Sequence, residues 1–181
     1  LFSEKVYKIQ MKNWPIFVPS LLMNPPDKRI IRFIRHHHVL TLSTMSEKRP
    51  WSAHCFYSYC EKEQMLVFIS DLTTRHIREA LRNHFVAGGI VLETRWIGKI
   101  RGIQFEGILE EPHDEMYRKA HTSYLKRFPF AILSNTKLWT IRLIGIKMTD
   151  NRLGFGKKLY WINQDYRQFI SDDLVEKAPF T

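Results

Sequence analysis

The sequence predicts a mainly β protein, a six- to seven-stranded antiparallel barrel with helices at its periphery. Short apolar runs rich in β-branched and aromatic residues follow one another through brief polar connections. Helical patterns are few and do not alternate with the strands, which argues against a doubly wound parallel sheet. Glycines interrupt the longer strands, as expected where a barrel strand bends or two backbones approach closely.

Residues 1–26 differ from the rest. They contain Pro15, Pro19, Pro25 and Pro26 and show no sustained period. They read as an appended arm, disordered or docked through Trp14 and Phe17, with Met23 as an alternative start and residues 1–22 dispensable for folding. The barrel domain is expected over 27–163 and a mixed tail over 164–181. Asp27 is placed to cap a helix whose apolar face is Ile30, Ile31, Phe33 and Ile34. Arg35 and His36–His38 fall at its C-terminal end, where positive charge suits the dipole. Neighbouring helical positions point in different directions, so the three histidines do not form a metal set.

Val39–Thr44 reads as a strand, Ser46–Pro50 as a turn, and Trp51–Tyr59 as the next strand. Its alternation puts Ala53, Cys55 and Tyr57 on one face and Ser52, His54 and Phe56 on the other. Met65–Ile69 is a short apolar strand, followed by a helix with Ile77, Ala80 and Leu81 along one side. Further strands are expected at Phe85–Leu92, Ile97–Leu109, Leu138–Met148 and Leu159–Ile162. A helix is expected over Glu115–Arg127, with Met116, Tyr117, Ala120 and Tyr124 inward and Pro129 ending it.

The strand-to-helix junction from Ser70 to His76 holds the chemistry. It gathers the hydroxyls of Ser70, Thr73 and Thr74 with Arg75 and His76 at a helix start. Unpaired backbone N–H groups and the dipole favour an anion there, and Arg75 offers a charged, forked donor. The plainer reading has Thr73 or Thr74 capping the helix and Arg75 facing water. A second, weaker phosphate signal is Gly154-Phe155-Gly156 followed by Lys157 and Lys158; an exposed basic turn is its commoner meaning. No nucleophile–base pair, acid pair or metal set emerges.

Lys and Arg number 28 against 18 Asp and Glu, a net charge of +10. That predicts attraction to anions without choosing among them. Nucleic-acid binding is disfavoured, because the aromatics sit in core patterns and are not interleaved with basic residues on one surface. Cys55 and Cys60 lie an odd number of residues apart on one strand and would face opposite sides. No disulfide is expected, which fits a reducing compartment and a cytoplasmic location. No apolar run is long enough for a membrane helix.

FISDLTTRH leading into a helix, then IRGIQFEGILEE, resembles the FMN-binding split barrel of the pyridoxamine phosphate oxidase superfamily. TRHIREAL, VAGGIV, RKAHTSYLKRFPFA, LWTIRL and especially TDNRLGFGKKLYW resemble the YhbP-type group of small bacterial proteins, from about Asp27 to Asn163. The resemblance implies a split β-barrel, usually a homodimer, that binds FMN; its relatives include oxidases, flavin reductases and haem-handling proteins. It therefore implies a flavin-dependent oxidoreductase, with a non-catalytic module for flavin, haem or another phosphorylated ligand as the alternative. By the same resemblance Ser70, Thr74, Arg75 and His76 stand at the phosphate site, with His76 in place of a lysine. His54 lies roughly where an arginine of the preceding strand often helps. Gly102 stands where a glutamine would meet the flavin ring. Two permanent charges have become histidines, so phosphate affinity is expected to rise as pH falls from about 8 to about 6.

Overall fold

The computed structural model describes residues 25–133, 136–154 and 156–169. The arm's first 24 residues lie outside the described residues. Helix α1 (Lys28–His36) opens at Asp27, whose carboxylate accepts the Arg29 N–H at 2.8 Å, and it buries Ile30, Phe33 and Ile34. Seven strands follow: β1 (Val39–Ser46), β2 (Arg49–Cys60), β3 (Met65–Ile69), β4 (Phe85–Val91), β5 (Arg101–Glu110), β6 (Leu138–Asp150) and β7 (Lys158–Ile162). Between them stand α2 (Arg75–Ala80) and α3 (Asp114–Arg127).

The strands pair in the order β3-β2-β1-β4-β5-β6-β7, all antiparallel, and β3 also pairs with β6. That last pairing closes six strands into a ring and leaves β7 outside it. The register shows how strongly the strands tilt. From Thr41 the ladder passes through Gly89 and Gln104 to Lys147 of β6. Round the other side, through His54 and β3, it arrives instead just ahead of Leu138. A barrel closes only with such a stagger, because tilted strands meet their neighbours ever further along.

The interior is filled by Leu40, Leu42, Tyr57, Leu66, Phe68, Phe105, Trp139 and Ile146, with α1 and α2 packed into the same cluster. On the outside, α3 covers Cys60, Met65, Val67 and Leu138 with Ala120 and Tyr124. β3 is therefore buried on both faces, which is why its sequence is an unbroken apolar run. Cys55 lies in the interior cluster and Cys60 beneath α3, both as free thiols.

Two glycines carry the close approaches that barrel closure demands. A Cβ on Gly88 would lie 2.3 Å from the Phe105 ring and 2.4 Å from the Thr41 carbonyl. One on Gly107 would lie 2.5 Å from Ile141, where β5 shifts register against β6 between Glu106 and Gly107. Residues 97–99, expected as strand, instead form a 3-10 turn, and β5 starts at Arg101. Tyr117, expected on the inward side of α3, is exposed and stacks on His121, their ring centroids 5.6 Å apart. The inward stripe of α3 is narrower, with Ala120 and Tyr124 buried and Met116 half-buried against the same cluster.

The β1–β2 connection is tighter than the sequence suggested. Ser46 pairs with Arg49, leaving Glu47 and Lys48 as a two-residue turn with φ of 52° and 64°. Hairpins of this length favour Asn-Gly, and left-handed backbone costs other residues about 1–2 kcal/mol each. The ion pair at the turn, Glu47 with Arg82 at 3.8 Å, is exposed and contributes little. Glu47→Asn with Lys48→Gly is therefore expected to stabilise the protein by about 1–2 kcal/mol. A thermal melt that fails to rise by several degrees would contradict the turn geometry.

Candidate functional site

The β3–α2 junction is anchored through its backbone. The Ser70 N–H donates to the Lys137 carbonyl at 2.9 Å, and the Ser70 carbonyl accepts the indole N–H of fully buried Trp139 at 3.0 Å. With both backbone groups committed, the hydroxyl of Ser70 is aimed into the junction. It lies 3.1 Å from the Thr74 hydroxyl and 2.7 Å from His76 Nε2. Thr74 Oγ1 also donates to the Asp71 carbonyl at 2.7 Å and lies 3.4 Å from His76 Nε2.

Thr74 occupies the cap position of α2, but its hydroxyl does not cap the helix. Thr73 turns away: its N–H and hydroxyl both donate to Asp71 Oδ1, at 2.7 and 2.6 Å, and those bonds hold the exposed Asp71 carboxyl below its ordinary range. Arg75 neither floats in water nor stands unbraced. Its Nε donates to Glu79 Oε1 at 2.7 Å, and its guanidinium lies 4.3 Å from the centre of the Trp51 ring. The side chain remains 43% exposed. Glu79 in turn accepts the Thr44 hydroxyl at 2.7 Å. Burial works to raise the Glu79 carboxyl, but the hydrogen bonds from Arg75 and Thr44 outweigh it and hold it below 4.5. Burial pushes the His76 imidazole below 6.5, with Glu79 pulling weakly the other way. Burial therefore favours the neutral form of the His76 ring.

The structure brings the Ser70 and Thr74 hydroxyls and the His76 ring together, and turns Arg75 to Glu79 and Trp51. His54 stands exposed on the outward face of β2, where its Nδ1 lies 3.2 Å from the Thr41 hydroxyl. Lys157 precedes β7, and its carbonyl accepts the Asp150 N–H. Ile69 pairs with Leu138, the opposite end of the thirteen-residue β6. At about 3.3 Å per residue, that strand puts roughly 40 Å between Lys157 and the junction within one chain. Two bracing residues escaped the sequence reading. Glu79 had a legible signal, four residues after Arg75 on a helix. Trp51 had none, since only the fold brings β2 to α2.

No family model matches the chain. A UPF0306 protein of Yersinia pseudotuberculosis is 41% identical over 141 residues, covering 77% of this chain and 96% of the relative. The chain belongs to the UPF0306 family. Among solved structures, a heme-binding protein from Mycobacterium smegmatis superposes with a TM-score of 0.63 at 17% identity, covering 83% of this chain and 61% of that protein. A FAD-binding protein from Mesorhizobium loti gives 0.54 at 14% identity, covering 71% of this chain and 97% of the other. A candidate pyridoxamine 5'-phosphate oxidase from Listeria innocua gives 0.52 at 15%, covering 65% and 93%. At such identities the likeness is one of fold, and it places this UPF0306 chain among the split β-barrels. Among the described residues, no helix is long and apolar enough to cross a membrane.

Glu79→Ala in this UPF0306 protein removes the acceptor of buried Thr44 and the partner of Arg75. It is expected to destabilise the fold by about 1–3 kcal/mol at pH 7. Because the native carboxyl is held below its ordinary value, the wild-type advantage should be complete above about pH 4.5 and fade as pH falls further. Chemical denaturation of both proteins at pH 7 and pH 3.5 checks the sign.

Proposed function

We propose that this UPF0306 protein binds FMN, its phosphate at the Ser70–His76 junction, and serves as a flavin-dependent oxidoreductase. The observation that carries the reading is the convergence of the Ser70 and Thr74 hydroxyls with the His76 ring, adjoined along the chain by the forked donor of Arg75. The donor set fits a phosphate: the Ser70 hydroxyl, one permanent charge already positioned by Glu79 and Trp51, and an imidazole able to take up a proton. Split-barrel proteins solved as heme-binding and FAD-binding support a binding role for the fold. When bound, the flavin supplies the redox chemistry. The chain's own residues hold and orient it: Arg75 through its free guanidinium N–H groups, Ser70 through a hydroxyl locked in place by its own backbone. Lys157 enters such a site only if a second chain supplies it.

A homodimer belongs to this reading. Val39 of β1, Phe56 of β2 at 61% exposure and Val91 of β4 at 71% form an exposed apolar row on the outward face, beside the C-terminal end of α3. An exposed apolar surface of this kind suits a self-complementary two-fold contact. Light scattering at micromolar concentration is expected to give twice the chain mass, and a monomer there would remove this element.

The binding test uses FMN fluorescence quenching. Arg75→Ala should weaken binding roughly ten- to a hundred-fold, the loss of one charge-assisted hydrogen bond. Burial lowers the His76 pKa of the empty site and a bound dianion raises it, so affinity should climb as pH falls, until phosphate protonation near 6 offsets the gain. His76→Lys should strengthen binding at pH 8 and flatten that dependence. Equal affinities for the three proteins at pH 8 and pH 6 would exclude this junction. The absorption of the purified protein separates the ligand classes: a flavin band supports FMN, and a Soret band would transfer the reading to haem.

A further inference from the structure

We propose that a second ligand site, for the phosphate of a small phosphorylated sugar or polyol, lies in the cleft between α1 and the paired ends of β5 and β6. It stands apart from the Ser70–His76 junction: Arg101 of β5 pairs with Asp150, at the far end of β6 from the Leu138 that adjoins β3. The cleft holds about 250 Å³. Arg29, Arg32 and His36 of α1, His37 after it, Arg101 and Arg152 line it, over a base of Phe33 and Met148.

Two of the four arginines are fixed by carboxylates. Arg29 bonds Asp27 through Nε at 2.9 Å and Nη2 at 2.6 Å, and Arg152 bonds Asp150 through Nε at 3.0 Å and Nη2 at 2.7 Å. The bonds from Arg29 pull the Asp27 carboxyl down to about 2, so it remains charged. The Asp150 side chain is fully buried beneath Arg152. Each paired guanidinium keeps three N–H donors for another acceptor. Four guanidinium groups against two carboxylates leave an excess of two positive charges, the complement of a phosphate monoester dianion.

Two buried atoms point to a ligand independently of charge. Arg101 Nε, a donor, and His37 Nε2 are both buried with no hydrogen-bond partner among the described residues. His37 Nδ1 lies 2.9 Å from the Phe33 carbonyl, which can only accept, so the proton of the neutral ring sits on Nδ1. Nε2 is then an acceptor. Burial lowers the His37 pKa against the opposing Phe33 hydrogen bond, and the nearby positive charges add to it, so the neutral ring is favoured. The cleft therefore offers guanidinium donors for an anion and one buried acceptor for a hydroxyl. A phosphorylated sugar or polyol presents both. The volume lies just under the range of about 300–1,000 Å³ for small-molecule pockets, which suits such a compound better than a whole flavin nucleotide.

The test is calorimetric titration of the full chain with ribose 5-phosphate, ribose and inorganic phosphate at pH 7.5 and fixed ionic strength. Ribose 5-phosphate is expected to bind, inorganic phosphate to bind more weakly, and ribose not to bind. Arg101→Met and Arg32→Glu should each weaken ribose 5-phosphate roughly ten- to a hundred-fold. Arg32 is exposed on α1, so its variant keeps the test valid should Arg101→Met fail to fold. His37→Phe should remove the preference over inorganic phosphate, and Arg75→Ala should change nothing here. Equal binding of ribose 5-phosphate by wild type and Arg32→Glu, or no binding by wild type, would overturn the site. Binding lost in Arg75→Ala would assign the anion to the other junction. Inorganic phosphate binding as tightly as the sugar phosphate would overturn the hydroxyl contact.

Discussion

The pairing of β3 with β6 is the contact on which the rest depends. Without it the sheet would be an open ribbon running from β3 to β7. With it, four residues of β3, Met65 to Phe68, lie against both β2 and β6 and are buried. Closure also reaches past the end of the strand. Lys137 and Trp139 of the β6 side grip the N–H and carbonyl of Ser70, so the chain leaves β3 in one direction only. The α2 helix then seats Ile77 and Ala80 in the barrel interior, and Glu79 reaches Thr44 of β1. The geometry of the candidate phosphate site is thus a consequence of how the barrel shuts.

The two ends of the barrel treat charge differently. At the β3–α2 junction a single arginine is partnered by Glu79 and Trp51, and burial favours the neutral form of the adjacent histidine. At the other end four arginines from α1, β5 and the turn after β6 meet with only two carboxylates among them. A +10 chain with its charges scattered in sequence reads as a solvated basic surface. The fold instead concentrates part of that charge in one cleft, because α1 lies across the ends of β5 and β6. Asp27 and Asp150 orient arginines there and leave a net excess, so that an anion retains something to bind.

Local order was legible without the fold because it follows from periods and end signals. The alternation along β2, the unbroken apolar β3, the Asp27 cap and the proline after α3 each specify an element through short-range geometry. The motif around Ser70–His76 was legible too, since its members lie within seven residues and any strand-to-helix turn must draw them close. Family membership followed from long stretches of shared sequence. Tertiary structure alone decided how far apart the remaining candidates lie. Lys157 sits a full strand length from the junction, because register and tilt accumulate around a closed ring in a way no local window reports. The cleft of Arg29, Arg32, Arg101 and Arg152 was invisible for the same reason: its members span 124 positions of sequence and become neighbours only when β5 and β6 pair at Arg101 and Asp150 beneath α1.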